Sequence, residues 1–318
     1  MLLDPERGYD VIGDVHGCAR TLARLLERLG YQKRQGVWQH PTRMALFLGD
    51  IIDRGPRIRE ALHMVRDMVE HDFAKCIMGN HEFYAIAWHT EAPVESGKLF
   101  VREHGPRNER LIRETLDQFA DYPDEWQCFL AWMRELPLAL ETPHFRLVHA
   151  CWDEGLIDPL RERFPRLVID QTFVEEAAFT GSFASRVFDR LLRGINLPLP
   201  NGLSQLSDEG FPRYSFRSKF WAENPQTYGD IVFQPKGLPA QAAQMPLGVQ
   251  QKRELLQYGL DEPLLFVGHY WCVGTPAPIR PNLACLDYSA VKYGKLVAYR
   301  LDQETQLDPL KFCWVDAQ

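Results

Sequence analysis

Aspartate, asparagine and histidine recur beside glycine at a few places along the 318-residue chain. The run at 13–17 reads GDVHG, the run at 49–55 reads GDIIDRG, and the run at 79–82 reads GNHE. Further along, His149 lies in a VHA run, and a second histidine, His269, follows a glycine. Carboxylate oxygens and imidazole nitrogens suit manganese, iron or zinc, whereas no matching set of cysteines supports a thiolate zinc site. These residue types therefore predict a metal centre.

The elements that must position these residues alternate along the chain. Short apolar segments at 8–13, 44–48 and 75–78 predict buried strands. The segments between these strands, and the segment that starts at 81, have the pattern of helices. Leucines at 22, 25, 26 and 29 mark one face of the first helix, which Thr21 could cap and Gly30 could end. This β-α-β-α-β order is typical of layered α/β proteins. Each strand ends directly before a polar run, and open α/β sheets bind ligands at that end.

The rest of the chain is less regular. We expect helices at 107–120 and 124–135, and further strands at 146–148, 263–267, 283–286 and 295–301. Residues 152–260 show little periodicity, apart from short strands expected at 215–221 and 230–233. Because the candidate site residues run from Asp14 to His269, we expect one α/β domain over 1–318, with a helical insertion at 92–136 and a variable insertion at 152–260 that shapes the substrate pocket.

The polar runs resemble the signature motifs of a known family. GDxHG, GDxxDRG and GNHE, in this order, are similar to those of the phosphoprotein phosphatase family of calcineurin-like metallophosphoesterases. The resemblance covers 8–150 and 263–302, and the segment 285–296 looks like the end of the bacterial symmetrical diadenosine tetraphosphatases. Bacterial serine/threonine phosphatases are close relatives. The resemblance implies an α/β sandwich of two mixed β-sheets flanked by α-helices.

The same resemblance implies a role for each residue. Two metals about 3.5–4 Å apart would activate a water for in-line attack on the phosphate. Manganese is the ion we expect to load the centre in vitro, with iron and zinc as alternatives. Asp50 would bridge the two metals. The full set of implied metal ligands is Asp14, His16, Asp50, Asn80, His149 and His269.

Three further residues are implied in catalysis and substrate binding. His81 would protonate the leaving oxygen, Asp53 would orient its imidazole, and Arg54 would hold the phosphate. Glu82 is expected to orient the loop instead of doing chemistry.

A second phosphate-binding arginine is expected from the middle of the chain. Arg217 is the candidate, with Arg213 and Lys219 as rivals, and a solvated strand arginine is the alternative interpretation. The basic residues Arg102, His104 and Arg107 could meet a distal phosphate or a phosphopeptide, or could form an ordinary charged surface.

Two residues depart from the family pattern. Cys151 replaces a glycine after VHA, and Tyr270 replaces a threonine after the last GH. We expect both to line the rim of the site and to affect the choice of substrate.

Composition limits the class of protein. The formal net charge of −7 disfavours binding to bulk nucleic acid but not to a phosphorylated substrate. The seven cysteines are scattered, without a CxxC pair, which favours reduced thiols in a cytoplasmic protein. No secretory signal and no membrane span are expected from the sequence.

The sequence leaves the substrate open. The first hypothesis is a phosphomonoesterase, including phosphoserine and phosphothreonine hydrolysis. The alternative is hydrolysis of dinucleoside polyphosphates such as diadenosine tetraphosphate, or of other phosphoanhydrides. A non-catalytic binding module is disfavoured because the whole set of ligands is present together with His81, Asp53 and Arg54.

Overall fold

Two β-sheets form the centre of the structure, which is a computed structural model that describes residues 3–4, 7–206, 212–233 and 238–317. The strands are β1 Gly8–Ile12, β2 Gln32–Arg34, β3 Val37–Gln39, β4 Arg43–Phe47, β5 Ala74–Cys76, β6 Ala139–Glu141, β7 Phe145–Val148, β8 Asn196–Pro198, β9 Gln205–Leu206, β10 Pro212–Arg213, β11 Ser215–Arg217, β12 Leu264–Val267, β13 Leu283–Cys285, β14 Asp287–Tyr288, β15 Lys295–Leu301 and β16 Phe312–Asp316.

Helices cover the sheets and form much of the remaining structure. They are α1 Ala19–Leu29, α2 Ile58–Glu70, α3 Asn80–Trp88, α4 Pro106–Phe119, α5 Pro123–Arg134, α6 Glu154–Arg163, α7 Gln171–Glu176, α8 Phe183–Arg193, α9 Tyr228–Ile231, α10 Ala240–Ala243 and α11 Val249–Glu254. Short 3-10 helices lie at Val94–Ser96, Pro200–Gly202, Ala290–Lys292 and Pro309–Lys311. No helix among the described residues has the length and apolar character needed to cross a membrane.

Each sheet contains parallel strands whose carboxyl ends carry the polar runs. In the first sheet, β1 pairs in parallel with β4, and β4 with β5, while β15 runs antiparallel to β1. In the second sheet, β12 pairs in parallel with β7 and with β13, and β6 runs antiparallel to β7. Both sheets are therefore mixed, as the sequence predicted.

The two sheets pack face to face through alternate residues of their strands. Tyr9 and Val11 of β1 share one buried cluster with Phe145 of β7 and Phe266 of β12. The residues between them face the opposite way, and Ile12 packs in the cluster that the helices cover. This alternation follows from the two-residue period of a strand and buries both faces of each sheet. The α/β sandwich expected from the resemblance is confirmed.

Local sequence signals explain the start of the fold. The leucines at 22, 25, 26 and 29 form the buried face of α1, and Gly30 ends this helix with a left-handed φ of 92°. The helix begins at Ala19, however, so the expected cap at Thr21 is wrong. Thr21 is buried within the first turn of the helix.

The segment after His149 is more regular than the sequence suggested. Helices α6, α7 and α8 occupy much of 154–193, so the expectation of few elements there is wrong. The strand expected at 230–233 is also wrong in its main part, because Tyr228–Ile231 is a short helix that Thr227 and Asp230 cap reciprocally. Part of the proposed insertion, at 207–211 and 234–237, lies outside the described residues.

Candidate dinuclear metal centre

The implied metal ligands meet at one edge of the sandwich. They lie directly after the parallel strands of both sheets: Asp14 and His16 after β1, Asp50 after β4, Asn80 after β5, His149 after β7 and His269 after β12. All of these side chains are buried, with relative exposure of 9% or less. Buried polar side chains need partners, so their convergence requires an explanation beyond chance packing.

Asp50 lies at the middle of this arrangement. Its Oδ2 atom is 3.3 Å from Nε2 of His149 and 3.6 Å from Nε2 of His16. Two groups have all their ligand atoms within 4.8 Å of one another: one joins His16, Asp50 and His81, and the other joins Asp50, His149 and His269. Asp50 belongs to both groups, which is the position that a bridging carboxylate requires.

The hydrogen bonds of two histidines fix which nitrogen faces the centre. Nδ1 of His16 lies 2.9 Å from the carbonyl of Ile52, and Nδ1 of His149 lies 2.7 Å from the carbonyl of Leu48. A carbonyl only accepts hydrogen bonds, so Nδ1 carries the proton in both residues. Nε2 of each ring is left to face the carboxylate of Asp50, as in histidines whose outer nitrogen is held by a backbone carbonyl in metal sites.

His149 shows why a cation fits here. Its Nε2 atom lies 3.2 Å from Oδ1 of Asn80 and close to Asp50, so three ligand atoms converge on one point. Burial lowers the pKa of His149, but the Asp50 carboxylate, together with Asp14 and the Leu48 carbonyl, raises it to about 10. The oxygens around this nitrogen therefore favour a positive charge between them, which a divalent metal supplies.

Asp14 and His269 complete the centre from opposite sheets. The backbone N–H of His269 donates to Oδ2 of Asp14 at 3.1 Å, whereas Oδ1 of Asp14 and Nε2 of His269 are buried without a hydrogen-bond partner in the described part of the chain. A Cβ atom at position 268 would lie 2.1 Å from Oδ1 of Asp14, so glycine is required there. An unpartnered buried polar atom costs about 1–3 kcal/mol, and a metal ion would remove this cost.

Backbone strain is concentrated in the same loops. His16, Asp50, Asp53, Arg54 and His269 have positive φ angles of 43°, 51°, 66°, 68° and 62°. Such angles are unfavourable for residues other than glycine and cluster at functional sites.

Glu82 holds one of these loops in place. Its carboxylate accepts hydrogen bonds from the backbone N–H groups of Asp50 at 2.7 Å, Ile51 at 2.8 Å and Gly79 at 2.9 Å. These bonds join the loop after β4 to the start of α3. Glu82 thus positions the loop that carries Asp50.

His81 is held by a chain of polar contacts that reaches α4. Its Nδ1 atom lies 2.5 Å from Oδ2 of Asp53, and its backbone N–H donates to Oδ1 of Asp50 at 2.9 Å. The hydroxyl of Thr115 donates to the other oxygen of Asp53 and accepts from the Asp53 backbone N–H at 3.1 Å. Burial lowers the pKa of His81 to about 3 and raises that of Asp53 to about 7.

Thr115 was not found from the sequence. It lies 62 residues from Asp53, and no motif connects the two. The available signal was a single hydroxyl within the buried face of α4, where Ile112, Thr115 and Phe119 are all buried.

Comparison with known proteins agrees with this centre. Residues 9–150 match the family of calcineurin-like phosphoesterases. The chain is 43% identical over 117 residues to the asymmetrical bis(5′-nucleosyl)-tetraphosphatase PrpE of Halalkalibacterium halodurans, a match that covers 36% of this chain and 48% of that protein. It is 47% identical over 184 residues to PrpE of Oceanobacillus iheyensis, covering 55% of this chain and 66% of the relative.

The chain carries a calcineurin-like metallophosphoesterase domain. The resemblance drawn from GDxHG, GDxxDRG and GNHE is confirmed at this level. The chain spans about half to two thirds of the length of these two relatives. Among solved structures, a putative diadenosine tetraphosphatase aligns with 100% of this chain and 96% of its own at 14% identity and a TM-score of 0.47, a similarity too low to support an argument.

In this metallophosphoesterase domain, Arg54 lies over the open side of the centre. Its Nη1 and Nη2 atoms are 3.2 Å from Nε2 of His16 and 3.0 Å from Nε2 of His81. An arginine cannot accept a hydrogen bond, so both ring nitrogens face the guanidinium with their lone pairs. This arrangement places a half-buried cation against two histidines of the candidate site.

Arg217 also reaches the domain's centre. It extends from β11, and its Nη1 atom donates to the carbonyl of His269 at 2.8 Å. Its guanidinium carbon lies 5.4 Å from the ring centroid of Tyr270, and its Nε atom is buried without a hydrogen-bond partner among the described residues. Arg217 is therefore a strand residue that is only partly exposed and is held by the loop of His269. The rival Arg213 is exposed in β10.

The expected basic cluster separates in the structure. The ring of His104 stacks between Trp88 at 3.7 Å and Phe100 at 4.0 Å, and its Nε2 atom lies 2.8 Å from the Trp88 carbonyl. His104 is thus held between two rings, although it remains exposed. Arg107 is exposed at the start of α4, whereas Arg102 turns toward the centre.

The two departures from the family pattern do not lie on the rim. Cys151 and Tyr270 are fully buried, which corrects the expectation that they line it. The ring of Tyr270 instead packs against the guanidinium of Arg217. Trp271, the residue after Tyr270, does lie on the rim. Its ring is 5.0 Å from the guanidinium carbon of Arg54 and 3.9 Å from Nζ of Lys292.

Asp287 is a further buried carboxylate that sequence reasoning did not single out. Its Oδ1 atom accepts from the Ser289 backbone N–H at 2.9 Å, and Oδ2 has no hydrogen-bond partner within the described ranges. Burial, and next the charge of Asp287, raise the pKa of Asp14. Asp287 therefore adds negative charge beside the centre, which favours cation binding there.

Proposed function

We propose that this chain is a dinuclear-metal-dependent phosphohydrolase that cleaves a phosphoanhydride bond of dinucleoside polyphosphates, with diadenosine tetraphosphate as the representative substrate. The observation that carries the proposal is the Asp50 carboxylate, which belongs to both groups of candidate ligands. The relatives named asymmetrical bis(5′-nucleosyl)-tetraphosphatase support an anhydride substrate over a phosphomonoester.

The ligands divide between two metal positions. Asp14 and His16 would hold the first metal, Asn80, His149 and His269 the second, and Asp50 both. Bound metals neutralise phosphate charge and make water a stronger nucleophile at neutral pH. The unpartnered atoms of Asp14 and His269 support a role for both residues as ligands, since each is buried and without a partner in the described structure. The metal most useful for testing it is Mn²⁺.

His81 is the proposed proton donor to the leaving oxygen. It also lies within reach of a metal group, with Nε2 4.0 Å from Oδ2 of Asp50. We assign it to proton transfer because Asp53 holds its Nδ1–H, which orients Nε2 toward the open side and stabilises the imidazolium. Burial disfavours that imidazolium, and an arriving phosphate anion counteracts the effect of burial.

Two arginines are proposed to bind the phosphate that is attacked. Arg54 and Arg217 both approach the ligands, one beside His16 and one behind His269. A planar guanidinium matches two phosphate oxygens at once, and such charge-assisted bonds are stronger than neutral ones. The first-choice hypothesis from the sequence, a phosphoserine or phosphothreonine phosphatase, shares all of these groups but gains no support from the relatives.

The two substrates can be compared in one assay. The Mn²⁺-loaded chain receives diadenosine tetraphosphate and a phosphothreonine peptide together, and the products are separated by chromatography. We expect nucleotide release to dominate. Formation of ATP and AMP would match the asymmetrical cleavage in the relatives' names, whereas two ADP would match symmetrical cleavage.

The assay needs a control that removes the metals but keeps the fold. Asp50→Asn serves, because asparagine has the shape of aspartate without its charge. Preferential release of inorganic phosphate from the peptide by the unmodified chain, absent in Asp50→Asn, would overturn the anhydride proposal and restore the phosphatase hypothesis.

A further inference from the structure

Two arginines lie near the centre without a role in the chemistry described above. Arg102 precedes α4, and Arg193 is the last residue of α8. Neither belongs to a signature motif. Both keep contact with solvent, and the side chain of Arg193 is 44% exposed.

Tyr84 connects Arg102 to the centre. This tyrosine lies one turn after His81 in α3, and the two rings have centroids 6.1 Å apart. The guanidinium carbon of Arg102 lies 3.5 Å from the centroid of the Tyr84 ring, in the range of a cation–π contact. The backbone N–H of Arg102 donates to the carbonyl of Ala87 at 3.0 Å, which fixes the chain beside α3. The ring of Tyr84 therefore lies between the guanidinium of Arg102 and the imidazole of His81.

Packing of α8 fixes Arg193 on the same side of the molecule. Phe188 of α8 stacks on Phe83 of α3 with ring centroids 3.6 Å apart. The carbonyl of Leu191 accepts from the backbone N–H of Ala150, the residue after the ligand His149, at 2.8 Å. A Cβ atom at position 194 would lie 2.3 Å from the hydroxyl of Tyr270, so the end of α8 also contacts the loop of His269.

The charges of these arginines act on one another. Burial lowers the pKa of Arg102, and the charge of Arg193 adds to the decrease. In the described structure Arg193 pairs with Asp189 at 2.6 Å, and that carboxylate is itself exposed. Arg102 and Arg193 are thus close enough for their charges to interact, and an anion that contacts both would be stabilised by both.

We propose that Arg102 and Arg193 form a second phosphate subsite, next to the metal centre, that binds the phosphates of the substrate that are not attacked. The inference rests on the proposed function, because a dinucleoside polyphosphate has such phosphates and a phosphomonoester has none. The Tyr84 ring positions the guanidinium of Arg102, and the end of α8 positions that of Arg193. Each planar guanidinium can donate two parallel hydrogen bonds, which suits the successive oxygens of a phosphate chain. The subsite thus selects polyphosphate substrates, while the centre cleaves them.

The test compares two substrates that share the centre but differ in length. Arg102→Gln and Arg193→Gln are measured with diadenosine tetraphosphate and with p-nitrophenyl phosphate, and Arg107→Gln is the matched control from the same segment. We expect each subsite variant to raise KM for the tetraphosphate about tenfold, the scale of one charge-assisted hydrogen bond. KM for p-nitrophenyl phosphate and all values for the control should be unchanged.

A binding measurement separates this inference from the proposed function. Calorimetry with the metal-depleted full chain would compare inorganic tripolyphosphate with orthophosphate. We expect tripolyphosphate to bind more tightly, and each subsite variant to weaken it about tenfold. If the chain does not cleave the tetraphosphate but keeps this arginine-dependent binding, the proposed function fails and the subsite stands.

Two results would overturn the subsite. One is unchanged KM and unchanged tripolyphosphate binding in both variants of a chain that does cleave the tetraphosphate. The other is an equal loss on both substrates, which would place the arginines in the centre instead of beyond it. Circular dichroism of each variant checks that the fold is intact, and Arg102→Lys, which keeps the charge, should recover part of the lost affinity.

Discussion

The metal centre and the arginines around it are built in different ways. At the centre, His16, Asp50 and His149 are buried, and backbone groups or Glu82 fix their loops. Around it, Arg54, Arg102 and Arg193 keep contact with solvent and rest on rings, imidazole nitrogens or an exposed carboxylate. The centre is thus buried and held by many hydrogen bonds, whereas the surrounding arginines are partly exposed and carry positive charge.

This difference separates the reaction from the choice of substrate. In-line attack on phosphorus needs ligands fixed to within a fraction of an ångström, which buried and strained loops provide. Recognition of a long anion needs several accessible cations, which half-exposed arginines provide. Changes at the centre should therefore affect all substrates, and changes at the rim should affect substrates according to their length.

The largest effect is expected at the shared carboxylate. Asp50→Asn removes the charge that both ligand groups use, so metal binding should fall at both positions. We expect a decrease of roughly 10³-fold or more in kcat/KM on every substrate, at least the scale seen when one electrostatic group is removed from an active site. Metal content by mass spectrometry and kinetics on both substrates measure this.

Asp158→Asn, on the exposed surface of α6, is the control for that substitution. Full metal occupancy of Asp50→Asn with an unchanged rate would remove Asp50 from the bridging position. It would also contradict the expectation that changes at the centre affect all substrates.

The next largest effect is expected at the proton donor. His81→Ala should keep its metals and lose about 10²–10⁴ in kcat with poor leaving groups such as a phosphothreonine peptide or phenyl phosphate. The loss should be smaller with p-nitrophenyl phosphate, whose leaving group needs less protonation. His71→Ala, an exposed histidine after α2, is the control. Equal losses with good and poor leaving groups would exclude proton donation by His81.

The sequence predicted the centre better than the rim, and the reason is physical. Asp14 and His16 follow β1, each of the other implied ligands follows a strand of its own, and parallel strands of a sheet end at the same edge. The motif alone therefore brought Asp14, Asp50 and Asn80 together. The joining of two sheets through His149 and His269 came from the resemblance, since no local signal specifies how sheets pack.

The rim depends on contacts between distant segments. Arg193 lies near the centre because Phe188 stacks on Phe83, and nothing in either segment specifies the other. The helix that carries Arg193 was nonetheless predictable, because Ala184, Val187, Phe188, Leu191 and Leu192 have helical spacing. Its direction toward the site was not predictable, because that follows from tertiary packing.

A smaller effect is expected at Thr115, which acts on the centre from α4. Thr115→Val keeps the shape of the side chain but removes the hydroxyl that contacts Asp53. We expect kcat to fall about 10- to 100-fold, the usual cost of losing a supporting hydrogen bond at a metal site. The loss should be larger with poor leaving groups, because Thr115 acts through Asp53 on His81.

Thr115→Ser tests whether the hydroxyl itself is responsible. Serine restores the donor and acceptor, so most of the activity should return. A serine variant as impaired as the valine variant, or a loss that does not depend on the leaving group, would make Thr115 a packing residue only.

The smallest effect is expected at Arg217, which lies between the two regions. Its guanidinium contacts the carbonyl of the ligand His269, so it should bind the phosphate that is attacked, whatever the length of the substrate. Arg217→Gln should therefore raise KM about tenfold for both diadenosine tetraphosphate and p-nitrophenyl phosphate. Exposed Arg213→Gln should change neither value. This pattern would place Arg217 with the centre and set it apart from Arg102 and Arg193. An effect confined to the tetraphosphate would instead move Arg217 to the second subsite and leave Arg54 to hold the attacked phosphate.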